Sequence, residues 1–200
     1  GSYYRFREID RQSHQPGPDI EAVLDTAEAL GSRRIRLWAG EQDFEDASEP
    51  YPQAIADKAR KIGEQAQVRG LAIDLEFHRG KLNNSADHSL KLLGMIGHKN
   101  IHTLWQPDMS LPFKERLGGL HRLLPHISNL HCFHWGPGGF QDRRPLAEGT
   151  SEWEAYLAEL GRVDRQRWIS LEFVKDDSLE ILMQDSQTLA NIMSHHAIEP

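Results

Sequence analysis

Cysteine is almost missing from this sequence: Cys132 stands alone, so no intrachain disulfide can form, and the chain fits a reducing compartment such as the cytoplasm. An excess of basic residues is missing as well. The net charge of −7 disfavours a broad basic face, and with it nucleic acid as a partner. No apolar run approaches the roughly 20 residues of a transmembrane helix, so no membrane is expected as a partner. There is no low-complexity segment and no interdomain linker; Gly136-Pro137-Gly138-Gly139 reads as a loop inside one βα unit. An initiator Met is absent too. The opening Gly1-Ser2-Tyr3-Tyr4-Arg5 reads as an expression remnant or as the tail of an earlier strand or its loop, and a signal peptide would lie outside what is seen.

What remains is an ordinary globular composition, 38% hydrophobic and 26% charged, arranged as alternating strands and helices. Strands are expected at Arg34–Ala39, Leu71–Phe77, Asn100–Gln106, Asn129–His134 and Trp168–Val174. Asp19 caps a helical run to Leu30 that stops at Gly31. Pro52 opens one that stops at Gly70, and Ser85 or Ala86 begins one ending near Gly97. Further runs cover Leu111–Leu124, Glu152–Leu160, and the stretch from Ser178. Such alternation implies βαβ units and a parallel sheet. At 200 residues the chain is shorter than the roughly 250 of a complete (β/α)8 barrel, and five strands are legible where closure needs eight. The expectation is one domain, residues 1–200, forming a partial barrel with unpaired outer strands near Arg36 and Glu172. About three more βα units, roughly 70 to 90 residues, would precede Tyr3.

Period-two alternation assigns faces. Leu71, Ile73, Leu75 and Phe77 share one face of their strand; Ala72, Asp74, Glu76 and His78 share the other. Ile169, Leu171 and Phe173 oppose Trp168, Ser170 and Glu172 in the last strand. Gln106 and His131 fit the same inward phase. Polar residues at the C-terminal ends of parallel strands are where α/β sites form. Two carboxylates, an imidazole and an amide oxygen make a hard O/N donor set suited to Mn²⁺, Mg²⁺ or Co²⁺, with Zn²⁺ also admissible.

The stretch Asn129-Leu130-His131, followed by Arg143 to Gly149, Trp153 and Leu171-Glu172-Phe173, resembles the terminal third of the sugar phosphate isomerase/epimerase (xylose isomerase-like) family. Leu75-Glu76-Phe77-His78 resembles the strand that carries that family's first metal Glu. The resemblance runs from about residue 3 to 193. It implies a TIM barrel, a divalent metal on Glu76, Gln106, His131 and Glu172, and proton transfer by Glu76 and Glu172 through an enediolate. It also implies a sugar or sugar phosphate as the small-molecule partner, with a second copy of the chain compatible as well. Arg144 matches a substrate-contacting Arg, and His78 and Trp38 are further candidates for substrate contact. Two departures stand out: Gln106 occupies the usual place of an Asp, and Met109 that of a frequent His. The first removes a negative charge and should weaken the metal.

Blander readings accompany each of these. His134 falls on the face opposite His131 and reads as structural; Arg144 could serve a surface ion pair; Trp38 and Trp105 could simply be core. Cys132 reads as a buried, inert thiol, and His195 and His196 as an unassigned C-terminal tail. Two rival functions follow: a sugar- or partner-binding barrel that has lost its metal through Gln106, and, less favoured, a metal-dependent endonuclease of the same superfold. The endonuclease would need more ligands and a basic surface.

Overall fold

The computed structural model describes residues 4, 6, 9 and 17–196. Tyr4 apart, the opening pentapeptide read as the tail of a strand lies outside the described residues. The chain divides into two compact units, Gly1–Leu104 with His126–Ser128, and Trp105–Pro125 with Asn129–Pro200.

The first unit holds α1 (Ile20–Ala29), β1 (Arg34–Leu37), α2 (Pro50–Val68), β2 (Ala72–Glu76), α3 (Ala86–Ile96) and most of β3 (Ile101–Trp105). Its helices begin and end where local chemistry says they should. The Asp19 carboxylate accepts from Ala22 N–H and Ser85 Oγ accepts from His88 N–H, each satisfying an otherwise orphaned donor. Gly97 closes α3 in the left-handed region at φ 60°, which side chains resist. Helix α2 starts at Pro50, two residues earlier than the expected Pro52, because either proline tolerates a first helical turn that lacks donors. β1 pairs in parallel with β2 and β2 with β3, with Arg36 opposite Asp74 and Glu76 opposite Leu104. Thr103 N–H donates to His126 O and Ser128 Oγ to Thr103 O, so β4 (Ile127–Cys132) begins beside β3. Ile35, Leu37, Ile73 and Leu75 pack with Leu24, Ile55, Ile62, Leu92 and Ile96 into one core, which Tyr4 and Phe6 join.

The second unit carries the distal part of β4, then β5 (His134–Trp135), β6 (Arg143–Arg144), β7 (Trp168–Leu171), α4 (Phe113–Leu123), α5 (Thr150–Leu160) and α6 (Leu179–His195). β7 is parallel to β4, with His131 opposite Ser170. The expected strand Asn129–His134 starts earlier, at Ile127, and breaks at Phe133. His134 and Trp135 turn into an antiparallel hairpin with Arg143 and Arg144. Trp105, Trp153 and Tyr156 meet edge-to-face at 5.1 to 6.5 Å and form the centre of this unit's core. Trp153 Nε1 donates to Phe133 O, which fastens α5 under the strand break. The chain is helical from Leu179 through His195, with Ser178 and His196 as its caps; these two histidines are therefore not a tail.

The resulting order of the parallel strands is β1-β2-β3-β4-β7. Among the described residues β1 and β7 are the outer strands, as expected. No helix among the described residues is long and apolar enough to cross a membrane.

Candidate metal centre

The four residues singled out from strand ends do occupy strand ends. Glu76 closes β2, Gln106 follows β3 directly, His131 is the penultimate residue of β4, and Glu172 follows β7. The ladder runs one residue past β7, since Glu172 N–H donates to Cys132 O.

Within the second unit three of these side chains converge. His131 Nδ1 lies 3.1 Å from Gln106 Oε1 and 3.1 Å from Glu172 Oε2. When Nδ1 carries its proton, the ring donates to both oxygens. When it does not, an imidazole lone pair, an amide oxygen and a carboxylate oxygen face one point, the geometry a divalent cation replaces a proton in. His131 and Glu172 are shielded but not sealed, at 16% and 24% side-chain exposure.

Glu76 lies in the first unit and is almost wholly buried at 4% exposure. Its Oε2 accepts from Trp38 Nε1 at 2.6 Å and stands 3.2 Å from Arg36 Nε. Below it, Asp74 forms a two-pronged pair with Arg34, Nε to Oδ2 at 2.8 Å and Nη2 to Oδ1 at 2.5 Å. β1 and the residue after it thus offer a row Arg34, Arg36, Trp38 that answers the row Asp74, Glu76 on β2. Within the second unit, His131 and Glu172 supply an imidazole and a carboxylate donor to a candidate cation site, beside the Gln106 oxygen.

The other candidates fare variously. His78 is exposed, and its Nδ1 meets the Arg79 carbonyl. Arg144 grips Asp142 within its own hairpin, Nε to Oδ1 at 3.0 Å and Nη2 to Oδ2 at 2.9 Å. That pairing is the first cause holding Asp142 below the usual carboxylate range. Met109, where a His was looked for, rests its sulfur 3.3 Å from Arg116 Nη1. His134 packs against Gly149, where an added Cβ would come within 2.4 Å of its Nδ1, and burial pushes its pKa down. Cys132 is buried, and that burial pushes its thiol well up, as befits an inert position. Sequence reading missed Arg36 and Lys81. Both cations flank the Trp38 ring, at 5.0 and 4.9 Å from its centroid, and only the folded pairing of β1 with β2 and the course of the loop after β2 reveal this.

The sequence matches the family described as xylose isomerase-like TIM barrel over residues 18–192. The chain belongs to that family. This xylose isomerase-like protein is 24% identical to a 3-dehydroshikimate dehydratase of Bacillus anthracis, over 86% of its own length and 70% of the relative's. A crystal structure of a probable 3-DHS dehydratase from the same organism superimposes with a TM-score of 0.75, at 20% identity, over 95% of this chain and 73% of that one. A solved structure titled as IOLI protein with a binding zinc atom gives a TM-score of 0.71 at 16% identity, over 88% and 68% of the two chains. At these identities the solved structures speak for the fold.

Proposed function

We propose that the protein is a divalent-metal-dependent enzyme that moves a proton at a carbon beside a carbonyl, as a sugar or sugar phosphate isomerase or epimerase. The observation that carries this reading is the convergence of Gln106 Oε1, Glu172 Oε2 and His131 Nδ1, 3.1 Å from each oxygen. Glu76, at the corresponding end of β2, is the fourth ligand by its strand position and by the family's ligand order. Gln106 fits as a neutral oxygen donor, leaving two carboxylates to balance a divalent ion. When bound, the metal would draw electrons from adjacent carbonyl and hydroxyl oxygens and so acidify the neighbouring C–H. Glu76 and Glu172 would take that proton and return it, from either side of the carbon. Arg144, His78 and Trp38 remain the candidates for orienting the rest of the substrate.

A dehydratase is the second reading, favoured by the dehydratase relative. It starts with the same proton removal and then expels a hydroxyl from the next carbon. One experiment addresses both. Ketoses, their phosphates and 3-dehydroshikimate are incubated with Mn²⁺-loaded protein in D2O and followed by NMR. Solvent deuterium beside the carbonyl is expected for one compound, lost in Glu172→Gln and on EDTA treatment. Deuterium with retained hydroxyls marks an isomerase or epimerase; loss of water with new conjugation marks a dehydratase. Unchanged exchange in Glu172→Gln or in EDTA would overturn the proposal.

A further inference from the structure

Glu76 is held more elaborately than a lone strand-end carboxylate requires. Its Oε2 accepts from Trp38 Nε1 at 2.6 Å and stands in an ion pair 3.2 Å from Arg36 Nε. The Trp38 ring is itself pinned by the Arg36 guanidinium, 5.0 Å from its centroid, and by Lys81 Nζ at 4.9 Å. An indole has only two side-chain torsions, so a ring clamped in this way aims its N–H along a fixed line. The pair Arg34 and Asp74, one step back along the same strands, makes a useful control. There, both carboxylate oxygens are taken up by one guanidinium in a fork, as in an ordinary structural ion pair. At Glu76 a neutral indole N–H takes part as well.

Resting on the metal-site reading above, we propose that Trp38 is a positioning residue for Glu76. Its N–H, with Arg36, holds Oε2 and so fixes the orientation of the carboxylate that meets the cation and the substrate proton. Trp38 then acts through Glu76, in addition to whatever surface its ring offers a substrate. Arg36 has a divided effect: it helps hold the carboxylate, and its positive charge opposes a cation at the same group. Trp38 supplies direction without charge. The two residues should therefore push metal affinity in opposite senses when removed, a signature that general loosening of the strand would not give.

The test is calorimetric titration of Mn²⁺ into the metal-free full chain for four proteins, with thermal unfolding as a check on folding. Glu76→Gln should lose most of the wild-type affinity. Trp38→Phe, which keeps an aromatic face for the two cations and removes only the N–H, should bind about tenfold more weakly, the low end for lost support of a metal ligand. Arg36→Met should bind severalfold more tightly. Wild-type affinity in Trp38→Phe, or weakening in Arg36→Met, overturns the positioning role while leaving the metal site standing. Wild-type affinity in Glu76→Gln overturns the ligand assignment itself, and this inference with it.

Discussion

Two strands end in the same three residues, Leu75-Glu76-Phe77 after β2 and Leu171-Glu172-Phe173 after β7, and the two ends could hardly differ more in surroundings. Phe77 is 7% exposed; Phe173 is 47% exposed and sits in the left-handed region at φ 50°. β2 has a strand on either side and is buried along nearly its whole length, whereas β7 is the outer strand, with Trp168 64% exposed at its start. The carboxylates follow suit: Glu76 is gripped by an indole and a guanidinium, Glu172 by one imidazole. Alternation along a strand tells which face a side chain takes; the neighbouring elements decide whether that face is core.

The sharpest way to break this contrast is to truncate both phenyl rings. Phe77→Ala should cost about 3 kcal/mol or more, as buried aromatic truncations do, while Phe173→Ala, which loses the ring contacts with Phe140 and Trp135, should cost about 1 kcal/mol. Equal shifts in the urea midpoint would show that the two ends are equivalent after all. A smaller effect of opposite sign separates Phe173→Gly from Phe173→Ala. Relief of the positive φ should make the glycine variant more stable than the alanine one by up to about 1 kcal/mol, where a glycine in ordinary extended backbone would be the less stable.

The subtlest probe concerns Asp185 on α6, whose Oδ1 accepts from Leu146 N–H at 2.8 Å. Burial raises its pKa above 3.8, against the pull of that hydrogen bond. A carboxyl raised in the folded state favours folding below its unfolded pKa and loses that contribution as pH rises through the folded one. Asp185→Asn keeps the acceptor and removes the charge. Relative to this variant, the wild type should lose thermal stability as pH climbs from below 3.8 toward neutrality. Parallel pH profiles for the two proteins would contradict this.

Much of this molecule was legible in its residues. Five β-rich runs separated by capped helical runs specified the strand order, because parallel βαβ units leave few alternatives. Glu76, Gln106, His131 and Glu172 could be chosen because polar residues at C-terminal strand ends interrupt apolar alternation. The hairpin of His134-Trp135 with Arg143-Arg144 was not legible, since two-residue strands show no period. His195 and His196 read as a tail because they are polar and near the end, although the helix that Leu189 and Ile192 bury runs through His195. Arg36 and Lys81 escaped notice because their meaning lies across strands and loops, on the Trp38 ring.

The most direct measurement is Mn²⁺ binding by calorimetry to the wild type, His131→Ala and Gln106→Asp. Three donor atoms facing one another in the second unit predict one ion per chain in the wild type. Affinity should fall by at least about 100-fold in His131→Ala, beyond what loss of an outer contact produces. Gln106→Asp should bind more tightly, since it returns an anionic ligand to a shielded site. A wild type that binds no ion, or binds it equally well without the imidazole, would contradict a metal centre built on Gln106, His131 and Glu172.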